Sequence, residues 1–487
     1  MATHVQMEGN SPPAGNVKRH LSSQERAELG KAARRRVPRA AQGVFDPPSS
    51  RPDPVSLLER QAESRVPELV PIRYGRMLVS PFSFFRGAAL VMASDLATTV
   101  YSGLTAQICG DAHMSNFGLF ASPERTLMFD VNDFDETLPG PWEWDVKRLA
   151  ASVVVAGGDR GFPAKVSRTA AIELASAYRR EMRRLAVMTN LDVWYSHLDV
   201  QAAVAELESQ SRSTKSKKAR TMAATATKLV AASRTHDSLQ ALGKLTRVVA
   251  GQHRIISNPP LVVPTAELLA QHDSDALMDS LDQILRRYRR SLQSDRRHLL
   301  EQYRLLETAR KVVGIGSVGT RAWILLLVGA DPDDVVLLQA KEAEDSVLEE
   351  FVGKSGYTNH GQRVVAGQHL MQAASDIFLG WDRAQGIDDI TRDFYLRQLR
   401  DWKGSLDVEA VIPPGLIRYG TLCAQALARA HARSGDRIAI AAYLGTSTDF
   451  ERAIGEFAVT YAEQNRRDYD AFKQAVASGR ITATTGL

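Results

Sequence analysis

Cys109-Gly110-Asp111-Ala112-His113-Met114-Ser115-Asn116, answered further on by Asp130-Val131-Asn132-Asp133-Phe134-Asp135-Glu136, is the stretch on which the fold turns. Short apolar runs alternate with turn residues around it. Leu104 to Ile108 reads as a strand, Phe117 to Phe120 as a second and Leu127 to Val131 as a third, with Ser122-Pro123-Glu124 as a turn. Asp133 follows Asp111 by 22 residues, and Asp145 comes 12 residues later, within a segment of helical period from Trp144 to Ala156. A carboxylate and an amide in one tight loop, with more carboxylates after the next hairpin, suit phosphoryl transfer. One carboxylate takes or orients the proton of an incoming hydroxyl, while amide and carboxylate oxygens hold Mg²⁺ against nucleotide phosphates. Asp111 is the candidate catalytic group, and Asn116, Asp133 and Asp135 are the candidate metal ligands. His113 reads as a hydrogen-bonding group that fixes the loop.

A second constellation lies about two hundred residues on. Gly314-Ile315-Gly316-Ser317-Val318-Gly319 is a G-x-G-x-x-G run. In a dinucleotide-binding fold such a run leads from strand to helix. Here it is followed by Trp323 to Val328 and an Asp331-Pro332-Asp333-Asp334 turn, which reads strand–loop–strand. Glycines there let backbone N–H groups approach phosphates with no side chain in the way, so Gly314, Gly316, Ser317 and Gly319 are candidate phosphate-binding positions. Lys341 ends the next strand and is the candidate cation for the phosphates. Glu349 or Glu350 on the following helix is its expected partner, with Gln368 or Gln372 as alternatives for the same space. Ile377 to Trp381 and Phe394 to Leu399 read as further strands. Arg397 to Asp401 then forms a hinge, where backbone groups at Gln398 and Leu399 would meet adenine.

Gly110-Asp111-x-His113-x-x-Asn116, with Asp133-Phe134-Asp135 and Asp145, resembles the aminoglycoside phosphotransferases and other kinase-fold small-molecule kinases. The resemblance implies that Asp111 is the catalytic carboxylate, that Asn116 and Asp133 bind metal, and that Asp145 supports the catalytic loop. Cys109 departs from the pattern, since that family usually has His there. Those enzymes run glycine loop, lysine, hinge, then catalytic loop. This chain has the catalytic half first, which implies an α+β, two-lobed, protein-kinase-like fold in circular permutation, with a mainly helical larger lobe. The chain is also similar to a bacterial family known as domain of unknown function number 2252. Ser80-Pro81-Phe82, Phe85-Arg86-Gly87, Asn132 to Glu136, Pro141 to Asp145, Gln339 to Ala343 and Arg397 to Lys403 carry that likeness over roughly residues 50–460.

The expected divisions are a disordered tail over 1–52 with one short helix near Ser23 to Arg36, and a larger lobe over 53–310. A smaller, β-rich nucleotide-binding lobe spans 311–403, and C-terminal helices over 404–487 pack on the larger lobe. Residues 196–310 read as mainly helical, broken by Asn258-Pro259-Pro260, with Ala276 to Lys311 a long amphipathic helix pair.

Hydrophobic residues make up 44% of the 487, enough for a sizeable core. Two cysteines cannot build a disulfide framework, no run of about 18 apolar residues is present, and Met1 to Gly9 lacks an apolar signal core. A cytoplasmic protein away from the membrane is expected. Net charge is +5, and the basic clusters at Arg34 to Arg36, Lys215 to Arg220 and Arg286 to Arg290 come with no nucleic-acid motif, so no nucleic-acid partner is expected. The expected function is ATP- and Mg²⁺-dependent phosphate transfer to a small-molecule hydroxyl, and Arg73, Arg76 and Arg86 are candidates to face an anionic acceptor. A nucleotide-binding regulator without transfer activity and a metal-dependent phosphohydrolase on Asp111, His113, Asp133 and Asp135 are the alternatives. The leading reading requires the Asp111 loop and the Gly314 turn to share one cleft.

Overall fold

The computed structural model describes residues 20–213, 220, 224, 227–228, 230–231, 238–269, 274–386, 388, 390–399 and 408–487. Most of the basic cluster from Lys215 and the hinge residues Arg400 and Asp401 lie outside them. The described residues form an α+β protein.

Twelve strands are described. β1 (Thr105–Ile108) pairs with β4 (Leu138–Pro141), and β2 (Phe117–Ala121) forms a hairpin with β3 (Leu127–Val131). β5 (Thr246–Val249) and β6 (Gln252–Ile255) form a separate hairpin. The remaining six are β7 (Val262–Pro264), β8 (Arg304–Lys311), β9 (Ala322–Val328), β10 (Val335–Ala343), β11 (Gly380–Gln385) and β12 (Thr391–Gln398). They make one antiparallel sheet in the order β11-β12-β10-β9-β8-β7.

The continuous apolar run of β9 follows from its place near the middle of that sheet. Successive side chains point to opposite faces. Leu325 and Leu327 join Leu285 and Tyr288 of helix Ser274–Arg290, and Leu292 just after it, on one face. Ile324 and Leu326 join Ala241 and Leu242 of helix Ser238–Leu245 on the other. A strand covered on both sides reads as unbroken hydrophobicity.

The largest core lies below, where helices Trp142–Asp159, Ala164–Ala186, Pro413–Ser434 and Asp449–Ala477 pack around the two short strand pairs. Trp142 stacks on Tyr178 at a centroid distance of 5.5 Å and meets Phe450 at 5.5 Å, joining three of those helices.

Three expectations are corrected. Residues 304–311 form a strand, not the end of an amphipathic helix. A register shift between Leu305 and Glu307 breaks the alternation that would have marked it, and pairing with β9 overrides the helix-favouring composition. The boundary expected at 310/311 therefore falls inside the six-stranded sheet, which starts with β7. The stretch 20–52 is not a disordered tail. Helix Ser23–Arg36 is present and opens with a capping box between Ser22 and Glu25. Beyond it, Phe45 is buried edge-on against Phe457 and Tyr461, and Arg51 bridges Asp95 and Asp468 at 2.6 Å each.

Candidate functional site

β1 runs into the Asp111 loop through Gly110, whose φ of +78° falls in the left-handed region. A Cβ there would lie 2.7 Å from the Glu136 carbonyl oxygen. Asp145, in the first turn of helix Trp142–Asp159, accepts the N–H groups of Cys109 at 2.8 Å and Gly110 at 3.0 Å. Behind it His431 Nε2 lies 3.2 Å from the carboxylate, and Tyr178 Oη lies 2.8 Å from His431 Nδ1. Asp145 and His431 are both buried, so the loop is held from within the core.

Three residues after Asp145, on the same face of the helix, stands Arg148. Its Nε donates to Asp111 Oδ1 at 2.6 Å, and a second guanidinium nitrogen also meets that oxygen. The guanidinium packs over the Phe85 ring at 4.5 Å and donates to the Phe85 carbonyl. Burial pushes the Asp111 carboxyl up to about 6, with Arg148 and Arg86 pulling it down and Asp133 pushing it up. His113 Nε2 lies 3.6 Å from Asp111 Oδ2, and burial, with Arg86 and Arg148 nearby, holds the imidazole neutral. Asn116 Nδ2 donates to the Asp111 carbonyl at 2.8 Å, which leaves its amide oxygen as the remaining acceptor.

The β2–β3 hairpin returns the chain beside this loop, and Asn132 N–H donates to the Asn116 carbonyl at 2.8 Å. Asp133 follows. Its Oδ1 accepts the Asp135 N–H at 3.3 Å, and burial together with Asp135 raises its pKa. Buried Phe134 anchors the turn. Asp135, expected as a metal ligand, is engaged elsewhere. Its Oδ2 takes Lys341 Nζ at 2.6 Å and Ser317 Oγ at 3.0 Å, and its Oδ1 takes Tyr395 Oη at 2.6 Å. Burial opposes the charge on Asp135, but Lys341 and the hydrogen bonds hold the carboxyl down at about 2. Lys341 shifts the opposite way, upward against its burial, because Asp135, Tyr395 and Asp133 favour the ammonium.

Glu349, expected as the partner of Lys341, sits instead 3.5 Å from Lys354 and 4.0 Å from His360 Nδ1. Glu350 pairs with Arg60. Gln368 and Gln372 do not fill the space either: Gln368 donates to Gln372, which donates to the Val131 carbonyl at 2.6 Å. The counter-ion comes from the Asp133 turn rather than from a helix.

The glycine run connects β8 to β9, so the strand–loop–strand order holds. Gly319 has φ +93°, and Val66 N–H donates to its carbonyl at 2.8 Å. Arg65 donates to the Gly316 carbonyl at 3.0 Å and to the Val318 carbonyl, while Arg76 donates to the Val313 carbonyl at 2.5 Å. Residues 65–76 thus fasten the loop from outside, and Arg76 does not line the cavity between the two loops.

The Asp111 loop and the Gly314 turn line one cavity of about 380 Å³. Asp111, Asn116 and Asp133 form one wall, and Gly314, Ser317 and Lys341 form the other. Gln339, Arg397 and Leu399 extend it along β10 and β12. Gln398 does not line this cavity, and its N–H donates to Asp376 at 2.5 Å; the Leu399 N–H donates to the Leu337 carbonyl at 2.8 Å. The backbone donors expected to meet adenine at these two positions are therefore spent within the protein. A second cavity of about 500 Å³ shares Gly316 and Ser317, and is lined further by Arg65, Asp135, Glu342 and Glu344.

Sequence reasoning passed over Arg148 and Tyr395, and placed Arg397 only at the hinge. Arg148 was within reach, one helical turn from Asp145. Tyr395 and Arg397 alternate along β12, with Tyr395 opposite Lys341 and Arg397 opposite Gln339. That register had to be seen before either could be placed in the site.

Glu136 carries a testable consequence. Burial pushes its carboxyl up to about 7, although the Val347 N–H donates to it at 2.8 Å. A carboxyl whose pKa is raised on folding binds more protons in the folded state, so stability falls as pH rises from about 4.5 through about 7. Thermal melts of the wild type should show this downward slope, and Glu136→Gln should flatten it. An equal slope in both proteins would remove Glu136 as its source.

A family model described as an uncharacterized protein conserved in bacteria (DUF2252) matches residues 65–475, a span that includes both walls of the cleft. No curated protein and no solved structure is similar to the chain.

Proposed function

The chain belongs to that bacterial family, and on the geometry of its cleft we propose that it is an ATP- and Mg²⁺-dependent phosphotransferase acting on a small-molecule hydroxyl. We read its architecture as two-lobed and protein-kinase-like in circular permutation. The observation that carries the reading is the shared cavity: carboxylate and amide oxygens on one wall, a glycine turn and a buried lysine on the other. Its lining includes four cationic side chains (Arg86, Lys311, Lys341 and Arg397) and two carboxylates, Asp111 and Asp133, a balance that favours a polyanion.

The donor set suits a hard cation. Asp133 spends one oxygen only on a 3.3 Å backbone contact, and Asn116 keeps its amide oxygen. These two residues would hold Mg²⁺, and Asp135 would not. Bound Mg·ATP supplies the transferable phosphoryl group and the charge that offsets its phosphates. Asp111 receives the proton of the acceptor hydroxyl, and Arg148 keeps its carboxylate oriented. Lys341 and Arg397 face the phosphates, and Asp135 holds Lys341 in place as a helix glutamate does in other kinases.

A regulator that binds nucleotide without transfer is the second reading, favoured by the two-point hold of Arg148 on Asp111. A phosphohydrolase needing Asp135 as a metal ligand has less support, since its oxygens are engaged.

Calorimetry with ATP, with and without Mg²⁺, tests the proposal. The wild type should bind ATP in a Mg²⁺-dependent way, and Asp133→Asn should lose the Mg²⁺ enhancement. Lys341→Ala should bind about 10–100-fold more weakly, the worth of one charge-assisted hydrogen bond. A folded wild-type protein that binds no nucleotide in Mg²⁺ would overturn it.

A further inference from the structure

Most of the arginines around this cleft are spent on protein groups. Arg65 holds the glycine loop, Arg73 donates to the Gly87 carbonyl at 2.8 Å and to Gln61 at 2.7 Å, and Arg148 holds Asp111. Arg86 differs. Among the described residues its guanidinium has no hydrogen-bond or ion-pair partner, and its Nε is buried.

Arg86 lines the 380 Å³ cavity together with Asp111, Asp133 and Ser317, and it also lines a small connecting space of about 40 Å³ with the same three residues. Asp111 and Asp133 are the carboxylates that act on it, yet neither comes within 4.0 Å. A cation left at that distance from two carboxylates, in a largely buried place, is costly unless something bridges the gap.

The backbone around it is fixed. The Phe85 carbonyl accepts from Arg148 at 3.0 Å and the Gly87 carbonyl from Arg73 at 2.8 Å, so buried arginines clamp both neighbours of Arg86. At the start of the same short helix, the Phe82 N–H donates to Asp159 at 2.7 Å. The glycine loop lies above it: a Cβ on Gly316 would stand 3.7 Å from the Arg86 carbonyl oxygen. An unpartnered guanidinium on a clamped backbone is pre-organised for an anion.

We propose that Arg86 binds the terminal phosphate of the nucleotide and stabilises the charge on the phosphoryl group as it is transferred. The inference rests on the phosphotransferase reading above. The group in transfer has to lie beside Asp111, and Arg86 is the cation that shares both spaces with Asp111 and Asp133. In the step, the hydroxyl oxygen bonds to the terminal phosphorus as the bond to the bridging oxygen breaks. ADP departs with that electron pair, and the hydroxyl proton passes to Asp111. Arg86 faces the oxygens that carry charge throughout, offsetting the repulsion from the two carboxylates.

The test compares Mg·ADP with Mg·AMP-PNP, a non-hydrolysable ATP analogue, by calorimetry on wild type, Arg86→Gln and Arg86→Lys. The wild type should prefer AMP-PNP by about tenfold or more. Arg86→Gln should bring that ratio close to one by weakening AMP-PNP alone, and Arg86→Lys should fall between. Because the Arg86 guanidinium makes no hydrogen bond or ion pair among the described residues, Arg86→Gln should melt no lower than wild type. An unchanged ratio, an equal loss of both nucleotides or a lowered Tm would overturn the assignment and leave the phosphotransferase reading standing. A wild type that binds neither nucleotide would overturn both.

Discussion

Asp111→Asn should lower Mg²⁺-dependent ATP turnover by about 10²–10⁴-fold, the usual contribution of a positioned acid–base group. Nucleotide affinity should stay close to wild type. The substitution keeps the shape of the side chain and removes its negative charge together with its capacity to take a proton. The pH dependence gives an independent check. With its carboxyl pushed up to about 6 by burial, Asp111 is ionised above that value. Turnover should therefore rise with pH through about 6 and then level off. Removing the Arg148 cation by Arg148→Gln takes away the group that most favours the carboxylate, so the rise should move to higher pH. ADP release, followed across pH 5 to 8, reads both effects. An Asp111→Asn protein that binds nucleotide and turns it over like wild type would remove Asp111 from the chemistry.

Lys341→Met should carry the largest cost in stability, about 3 kcal/mol. Lys341 is 3% exposed, and its ammonium meets Asp135 at 2.6 Å. Taking it away leaves a carboxylate held only by the Ser317 and Tyr395 hydroxyls. Adding Asp135→Asn should recover most of the loss, because the amide no longer requires a cation, and the double-mutant cycle isolates the coupling of the pair. The depressed Asp135 carboxyl contributes stability that is complete above its ordinary value of 3.8 and is lost as pH falls toward about 2. Urea midpoints at neutral pH measure the cycle. A double variant whose cost equals the sum of the two single costs would mean that the ion pair adds nothing to the fold.

The positions legible in the sequence are those fixed by short-range geometry. Asp111 and Asn116 lie in one loop, Asp133 follows one hairpin later, and the N–H groups of Cys109 and Gly110 end on Asp145 of the next helix. Strand β9 was recognisable because burial on both faces leaves an unbroken apolar run. β8 was not, since a register shift and a helix-favouring composition concealed its period.

What the chain determined by itself is the set of groups and their local order: a carboxylate loop, a hairpin ending in carboxylates, a glycine turn between strands and a lysine on the strand after it. Tertiary structure alone decided the pairings. Lys341 takes Asp135 from 206 residues away rather than Glu349 on the helix that follows it, and Arg86 is left facing Asp111 and Asp133 without a partner. The reason is physical. Spacing along the chain dictates which side chains share a loop, but a buried charge pairs with whatever the packed core brings within reach, and that distance exists only once the sheet and the helices have met.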